Sequence, residues 1–452
     1  MNKLYYDKEK KAMRKIGRLL NMEEQIGYNR TIDLLWIEGR GTFVKSRPVS
    51  GDSTFLKSLN KSTLLGLIRG QAPVSRADLA KKTRLTRATV SALVEELIAD
   101  HLVIETGIGE SSGGRKPMML ELNRHGGRVI GLDLRPTDML LVVTDLQGQI
   151  VRKSVHPYPD GTWADPDLCL AAILALLEKE RALLDSTPLG LIGAGIGVHG
   201  FVEYPSGHIV FMPHTGWKDL SWKSDLEARL GLPVLIDNEA NLAALGELEF
   251  GAGAEADCSD MLYLSAGGGI GAGLILGGEL FRGTRGLAGE VGHTTIQMDG
   301  LPCSCGNRGC WERYASERAV ADRLGMDYRP GFSERLLNLL EREDEEACAA
   351  VRGAGAYLGI GIGNMMHTFN PQMIVVGNAM SQYGSWLHEP LLSALASRYS
   401  YLASFRSTVR YSELGENSCA LGAASSVIRT RMRLQEYEAL PVWNHSELPN
   451  ES

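Results

Sequence analysis

Between positions 56 and 99, the hydrophobic residues recur every three or four positions in three short runs, which is the spacing of amphipathic helices. The first run extends from about Leu56 to Arg69 and stops at a glycine. The second begins after Ser75 and the third after Thr86, and serine and threonine are favoured helix N-caps. Only the segment KKTRL separates the last two runs. The pattern therefore predicts three helices, the last two in a helix-turn-helix arrangement.

Two apolar runs, LVIETG and PMMLELN, follow the third helix and predict two β-strands. The connecting segment IGESSGGRKP places Arg115 and Lys116 among glycines. One interpretation is the wing of a winged helix-turn-helix, with these two basic residues reaching into a minor groove of DNA. The alternative is a flexible linker in which the two charges are incidental.

The charge distribution sets this front end apart from the rest of the chain. Residues 1–116 carry 21 Lys and Arg against 13 Asp and Glu, a net charge of +8. The remaining residues carry 26 basic and 41 acidic side chains, a net charge of −15, so that the whole chain has −7. A basic module on an acidic body is expected when that module contacts a polyanion such as DNA.

The third predicted helix places Arg87, Thr89 and Ser91 on its outer face, just after the cap residue Thr86. Guanidinium and hydroxyl groups at the start of such a helix can contact base edges in a major groove. We therefore expect these four residues, together with the predicted wing, to contact operator DNA. The alternative is the polar surface of a helical bundle that binds no nucleic acid.

Three of the seven cysteines lie within eight residues, at Cys303, Cys305 and Cys310, and His293 precedes them. One imidazole and three thiolates suit a tetrahedral zinc ion with no open coordination position, so the zinc would be structural. The competing interpretation is disulfide pairing.

No apolar run reaches the roughly 18 residues of a membrane span, and no secretory pattern is evident at the N-terminus. We therefore expect a cytoplasmic protein without membrane insertion, where disulfides are rare.

At 452 residues the chain can form two or three domains, and two of its stretches echo each other. VIGLDLRPTDMLLVVTDLQGQIV begins at Val129, and MLYLSAGGGIGAGLILGGELFRG begins at Met261. Each predicts a strand, a turn, a second strand and another turn. This repetition indicates two similar α/β lobes that face a cleft.

The motif GEVGH at Gly289–His293, followed by CSCGNRGCWE at Cys303–Glu312, resembles a pattern of the ROK family of repressors, uncharacterised reading frames and sugar kinases. Together with the predicted helix-turn-helix and the segment GGRKP, it resembles the repressor branch of that family, in particular repressors of the xylose type. The resemblance extends from about Leu56 to Arg429.

The resemblance implies an α/β fold, in which an N-terminal winged helix-turn-helix precedes a two-lobed actin-like, ribonuclease-H-like sugar-kinase body. It also implies that His293, Cys303, Cys305 and Cys310 bind a structural zinc ion. The corresponding division of the chain is an extension of unknown structure at 1–54, a DNA-binding domain at 55–123, a first lobe at 124–245 completed by a C-terminal helix at 420–437, a second lobe at 246–419, and a tail at 438–452.

The resemblance further implies a sugar site in which Glu290, the zinc-bound His293 and Glu312 bind sugar hydroxyls. We place Asn238 and Glu239 on the other side of the same sugar. Carboxylates form strong hydrogen bonds with hydroxyl groups. The alternative is that Glu290 and Glu312 only support the metal ligands or face solvent.

Two departures from the kinase pattern argue against catalysis. Kinases of the family have D-x-G-G-T-K at the first hairpin, whereas this chain has DLRPTD at Asp133–Asp138. Proline has no N–H to donate to a phosphate, and Asp138 would repel one. Kinases also have N-D-A-N where this chain has Asn238-Glu239-Ala240-Asn241, and the longer carboxylate displaces the general base.

We therefore predict a protein that is not an enzyme but a sugar-responsive, DNA-binding transcriptional repressor of carbohydrate catabolism. A monosaccharide would act as the inducer, and a homodimer or homotetramer would present paired DNA-binding domains. The runner-up is an ATP-dependent sugar kinase that carries a DNA-binding head. A third possibility is a regulator that responds to a protein partner and not to free sugar.

Overall fold

The computed structural model describes residues 53–108, 116–162, 165–184, 186–213, 215–256, 258–398 and 409–432. Residues 53–122 form a small unit that we call the head. It contains three helices and three strands: α1 (Ser53–Gln71), β1 (Val74–Ser75), α2 (Arg76–Thr83), α3 (Arg87–Ala99), β2 (Val103–Ile108) and β3 (Met118–Leu122).

Local sequence explains where the last two helices of the head begin. Ser75 caps α2 in a reciprocal capping box with Asp78, and the Thr86 hydroxyl accepts the backbone N–H of Thr89 at the start of α3. Both caps were predicted from the sequence. By contrast, α1 is longer than predicted: it begins at Ser53, three residues before the predicted start, and it continues through Gly70 to Gln71.

The strands of the head form an antiparallel sheet in the order β1-β3-β2, and the predicted pairing of the last two strands is present, with Val103 opposite Leu122. Arg115, predicted for the tip of the wing, lies outside the described residues, whereas Lys116 is described and exposed.

The first lobe follows directly. Its elements are β4 (Arg128–Leu134), β5 (Asp138–Thr144), β6 (Ile150–Pro157), α4 (Pro166–Ala182), β7 (Leu191–Val198), β8 (Phe201–Glu203), β9 (His208–Met212), β10 (Trp217–Leu220), α5 (Trp222–Leu230) and β11 (Val234–Asn238). The main sheet has the order β11-β7-β4-β5-β6, and β8 to β10 form a separate three-stranded sheet.

The second lobe and the final helix complete the described chain. Their elements are α6 (Glu239–Phe250), α7 (Ala252–Glu255), β12 (Met261–Ala266), β13 (Ile270–Leu276), β14 (Glu279–Phe281), α8 (Glu312–Ala315), α9 (Glu317–Leu324), α10 (Phe332–Glu341), α11 (Glu345–Phe369), β15 (Met373–Gly377), α12 (Gly384–Arg398), β16 (Val409–Tyr411) and α13 (Ser418–Met432). No helix within the described ranges has the length and apolar character needed to cross a membrane.

The two large sheets share one plan. In the first lobe β4 pairs antiparallel with β5 and parallel with β7; in the second, β12 pairs antiparallel with β13 and parallel with β15. Each sheet thus has a meander of three strands on one side and two parallel strands on the other. The two similar α/β lobes predicted from the repeated hairpins are therefore confirmed.

Helix α13 packs against both α6 and the sheet of the first lobe, although it is the last element of the described chain. The backbones of α6 and α13 approach each other closely because a glycine of each helix lies at the contact. A Cβ atom on Gly422 would lie 1.6 Å from the Leu242 carbonyl oxygen of α6, and one on Gly246 would lie 2.3 Å from the Ser418 carbonyl oxygen of α13. The predicted C-terminal helix at 420–437 corresponds to α13, and residues 433–437 lie outside the described chain.

The head also contacts the rest of the protein through apolar side chains, in addition to its connection along the chain. Leu64, Leu65 and Ile68 of α1 belong to the same buried apolar cluster as Val427 and Ile428 of α13. Burial of apolar side chains from both parts fixes the head against the first lobe. A change in the position of α13 would therefore change the position of α1.

The crossing of α6 and α13 should not tolerate even one added methyl group. We expect Gly422→Ala to lower the free energy of unfolding by about 3 kcal/mol, since overpacking against backbone cannot be relieved by a rotamer change. Urea denaturation followed by circular dichroism measures this. The control is Gly66→Ala, at an exposed helical glycine with open space around it, which should raise stability by about 0.5–1 kcal/mol. Equal stability of the two variants would contradict the crossing.

Candidate functional site

Asn238 stands where the first lobe meets α6, and its side chain is fully engaged within the protein. Its Oδ1 accepts the backbone N–H groups of Ala240 and Asn241 at 2.9 and 3.2 Å, and its Nδ2 donates to the Gly200 carbonyl at 2.9 Å. This is an N-cap that satisfies two free amides of the first helical turn. Asn238 therefore positions the start of α6, and a ligand would have to share or displace these bonds.

Glu239, the next residue, is buried between the lobes. Both of its carboxylate oxygens accept the Ser265 hydroxyl of β12 at 3.0 Å, and Asn378 donates to the same hydroxyl at 3.0 Å. Burial raises the pKa of Glu239, and the nearby His199 partly offsets this effect. The carboxylate thus connects the first turn of α6 with β12, the central strand of the second-lobe sheet.

His199 was not identified from the sequence, although it lies near Asp133 of the first hairpin and Glu239 of α6. Its Nε2 lies 3.4 Å from Asp133 Oδ1, and its Nδ1 lies 3.9 Å from Glu239 Oε2. Burial opposes the charge on His199, but the hydrogen bond to Asp133 and the charge of Glu239 outweigh it and raise its pKa to about 9. The ring of His199 thus lies between the carboxyl groups of Asp133 and Glu239. The only sequence signal was the histidine in GVHG, after a buried strand.

The turn of the first hairpin is stabilised by ion pairs that Arg135 forms. The Arg135 guanidinium forms ion pairs with Asp138 and, at 2.8 Å, with Glu416, which also binds Lys153 at 2.7 Å. The Arg135 N–H donates to the Asp138 carbonyl at 3.0 Å, and Pro136 has no N–H to offer. The guanidinium and the backbone amide of Arg135 are therefore committed within the protein.

Glu290 lies in a segment pressed against β13 by two glycines. A Cβ atom on Gly289 would lie 1.9 Å from the Ala272 carbonyl oxygen, and one on Gly292 would lie 2.1 Å from that of Ile270. The glycines of GEVGH are thus required by backbone packing, and they hold the side chain of Glu290 next to Glu312. Burial, together with the charge of Glu312, raises the pKa of Glu290 to about 7.

The predicted metal ligands converge. One ligand atom from each of His293, Cys303, Cys305 and Cys310 lies within 4.8 Å of the others. Cys303 Sγ is 3.6 Å from His293 Nδ1, and Cys305 Sγ is 3.7 Å from Cys310 Sγ. Ligands at tetrahedral zinc are separated by about 3.8 Å when the zinc–sulfur bonds are about 2.3 Å. The cluster therefore has the dimensions of such a site.

Disulfide pairing, the alternative raised by the sequence, does not occur. All seven cysteines are free thiols, and a sulfur separation of 3.7 Å between Cys305 and Cys310 far exceeds the roughly 2.05 Å of a disulfide bond.

Trp311 anchors the cysteine loop to the second lobe and was also missed by the sequence analysis. It is fully buried, its Nε1 donates to the Tyr357 carbonyl at 2.9 Å, and its ring lies directly on Gly361 of α11. Glu312 follows it, with Oε1 lying 3.2 Å from Cys303 Sγ and 3.7 Å from His293 Nδ1. The loop thus brings the carboxylate of Glu312 to the predicted metal ligands.

The five predicted sugar-contacting residues form two groups, Asn238 with Glu239 and Glu290 with His293 and Glu312. Strand β13 and the turn before it lie next to both groups. A Cβ atom on Gly271 would lie 3.6 Å from Ala240 of α6, and one on Gly269 would lie 3.0 Å from a carboxylate oxygen of Glu312. Among the described residues no hydrogen bond or ion pair joins the two groups, so a ligand that contacts both would have to bridge them.

In the head, the predicted DNA-contacting residues surround the N-terminus of α3. Arg87 is exposed and Ser91 is half-buried. The hydroxyls of Thr86 and Thr89 lie 2.8 Å apart and hydrogen-bond to each other. Thr86 is exposed as Arg87 is, and Thr89 is half-buried. The two threonines also serve the helix cap, whereas Arg87 does not.

Comparison with known proteins adds to these observations. The family model described as the ROK family matches residues 129–430. The chain is 37% identical over 378 residues to the xylose repressor of Bacillus subtilis, an alignment that covers 83% of this chain and 97% of that protein.

Two solved structures are similar. A ROK family transcriptional regulator, described as a homolog of the E. coli MLC protein, superposes with a TM-score of 0.71 at 26% identity and covers 84% of this chain and 97% of its own. A ROK family glucokinase from Streptomyces griseus, in complex with glucose and AMPPNP, has a TM-score of 0.56 at 28% identity over 66% of this chain and 99% of its own. The regulator thus spans the head as well as the lobes, whereas the glucokinase matches a shorter part. The chain belongs to the ROK family.

Proposed function

We propose that this protein is a sugar-responsive transcriptional repressor, in which a monosaccharide bound between the lobes lowers the affinity of the head for operator DNA. One observation carries the proposal. The head is built onto a ROK body that keeps carboxylates suited to sugar hydroxyls, while the turn that would hold a nucleotide phosphate is closed by Arg135. The similarity to the Bacillus subtilis xylose repressor over both parts supports it.

For the head, we propose a winged helix-turn-helix whose helix α3 enters the major groove. The exposed Arg87 at its first turn can form a bidentate hydrogen bond with a guanine. Thr86, Thr89 and Ser91 would contact neighbouring base edges or phosphates, and Lys116 with Arg115 would contact the minor groove. Two heads in a homodimer or homotetramer would fit half-sites about 34–36 Å apart.

For the body, we propose that a neutral sugar bridges Asn238 and Glu239 on one side with Glu290, His293 and Glu312 on the other. Xylose is the first sugar to test, because the relative is named for it. Ionised carboxylates accept strong hydrogen bonds from vicinal hydroxyls. Sugar that bridges both groups would favour one relative position of the lobes over others, which is a population shift.

For the cysteine cluster, we propose a structural zinc ion held by His293, Cys303, Cys305 and Cys310. The support is the fit of their separations to tetrahedral coordination. Such an ion would fix the ring of His293 and the loop that carries Glu312. With four protein ligands it would have no position open for a hydrolytic water.

The second candidate function is an ATP-dependent sugar kinase, because Glu239 keeps a carboxylate where a general base would act. Against it, the glycines of the second turn lie against side chains. A Cβ atom on Gly268 would lie 2.7 Å from the Tyr328 hydroxyl, and one on Gly269 would lie 3.0 Å from Glu312. These glycines serve close packing, and Glu312 would repel a phosphate. Steady ATP turnover on adding xylose or glucose would favour the kinase.

Removal of Glu290 should abolish the response to sugar and spare the head. We expect Glu290→Ala to weaken sugar binding by about 10- to 100-fold, since a hydrogen-bonding carboxyl group is lost. Calorimetric titration measures the sugar, and fluorescence anisotropy measures a duplex that the purified protein selects from a random library. The control is Glu341→Ala, at an exposed position of α10, which should leave both affinities unchanged. A full sugar response in Glu290→Ala would show that the sugar site is elsewhere.

Removal of Arg87 should have the opposite effect. Loss of one bidentate contact to a base typically costs about 1–3 kcal/mol, so Arg87→Ala should weaken binding of the selected duplex by about 10- to 100-fold. Sugar affinity should not change. Arg229→Ala, at another exposed arginine far along the chain in α5, provides the control. Unchanged duplex binding by Arg87→Ala would exclude α3 as the recognition helix.

The metal site should depend on the buried thiol of Cys310. We expect the purified protein to bind zinc at one ion per chain in elemental analysis, and Cys310→Ser to lose it together with sugar binding, because His293 and Glu312 lose their support. Cys348→Ser, at a buried cysteine outside the cluster, should retain the metal. Zinc retention in Cys310→Ser, or its absence from the wild type after zinc is supplied, would contradict the site.

A further inference from the structure

Glu249, close to the end of α6, binds two arginines that come from different parts of the molecule. Its Oε2 lies 2.5 Å from Arg69 Nη2, in the last turn of α1 in the head. Its Oε1 lies 2.6 Å from Arg429 Nη1 of α13. The three side chains are only 16–23% exposed, so solvent screens these ion pairs less than those on an open surface.

Arg429 has more hydrogen-bond acceptors among the described residues than Arg69 has. Arg429 also donates through Nη2 to the Gly278 carbonyl and to Glu279 Oε1, each at 3.2 Å, so several acceptors fix it to the second lobe. For Arg69, Glu249 is the one acceptor that the described residues provide. Both oxygens of Glu249 are in use, one for each arginine, so this carboxylate links α1 of the head to α13.

The opposite end of α6 carries the proposed sugar contacts Asn238 and Glu239. The helix has twelve residues and is about 18 Å long at 1.5 Å per residue. Every residue from Glu239 to Glu247 is buried, so the helix is enclosed along most of its length and would move as one body. A movement at its first turn is thus transmitted to Glu249.

Beyond Arg69, α1 is joined to the recognition helix α3. Leu65 and Ile68 of α1 share a buried cluster with Leu97 of α3. Lys61 of α1 forms an ion pair with Asp100, the C-cap of α3, at 2.5 Å. A change in the orientation of α1 therefore changes the orientation of α3.

We propose that Glu249 and Arg69 are positioning residues that couple sugar binding to DNA binding, by making the orientation of the head depend on the position of α6. This inference rests on the proposed function and names the contact through which the regulation acts. The apolar contact between α1 and α13 keeps the head attached but is not directional. The ion pair is directional, and its formation distinguishes one orientation of the head from others.

The test measures coupling, not affinity. The coupling factor is the ratio of duplex dissociation constants with saturating xylose and without sugar, determined by fluorescence anisotropy on the full chain. In wild type a factor of about 5 to 150 is typical of allosteric proteins. We expect Arg69→Gln to reduce the factor at least about fivefold, while the affinity for xylose without DNA and that for the duplex without xylose each stay within about twofold of wild type.

Arg76→Gln is the matched control. Arg76 has the same side-chain exposure as Arg69, 23%, and also forms close ion pairs, but its partners Glu95 and Glu105 lie within the head. It should keep the wild-type coupling factor even if its duplex affinity changes. Arg69→Lys, which retains the charge, should recover most of the coupling. A purely structural role for Arg69 would lower the melting temperature without changing the ratio.

Glu249→Gln removes the negative charge from the other partner of the same ion pair. This variant provides the test if Arg69→Gln does not fold. It should lower the coupling factor as well. A wild-type factor in either folded variant overturns the proposal. If instead wild-type protein binds both xylose and the duplex but shows no coupling, or binds neither, the proposed function itself has failed, and the two failures are therefore distinguishable.

Discussion

The structure depends on the close crossing of α6 and α13. Gly246 and Gly422 each face a backbone carbonyl of the other helix at a distance that excludes any side chain, so the two backbones meet directly. Glu247, buried at the same crossing, accepts the hydroxyls of Ser412 and Ser418 at 2.5 and 3.0 Å. Packed interfaces of this kind do not deform continuously but shift between discrete arrangements. The crossing therefore joins the lobes and limits how they can move.

The same crossing would connect a ligand bound between the two lobes to the head. Helix α6 begins at the proposed sugar contacts, passes the crossing and ends near Arg69 of α1. Helix α13 passes the same crossing and ends in the apolar cluster that holds the head. The head is thus connected to both helices, through a directional ion pair to one and through apolar packing to the other. A ligand that shifts one helix against the other changes the balance of these two contacts.

Much of this fold and site could be predicted because the relevant signals are local. The capping box at Ser75 and Asp78, the repeated hairpins and the spacing of the metal ligands each involve residues close in sequence. The DNA-binding and sugar-contacting roles, and zinc itself, remain predictions. His199 and Arg282 could not be found, because their partners come from other elements. Arg282 reaches Asp237 at 2.7 Å, and its guanidinium lies 3.7 Å from the ring centroid of Tyr204. The sequence near His199 and Arg282 does not identify these partners.

The pair of Arg69 and Glu249 shows most clearly where sequence reasoning stops. The residues are 180 positions apart, and each looks like an ordinary charged residue on a helix surface. Their contact exists only because α1 packs on α13 and α13 crosses α6, so both of these tertiary contacts must be known before the ion pair can be recognised. Reciprocity adds a consequence. If sugar weakens DNA binding through this contact, then DNA must weaken sugar binding by the same factor. An operator-bound protein would therefore need a higher sugar concentration to respond than a free one, and the threshold for release would be set by the strength of the coupling, not by the sugar site alone.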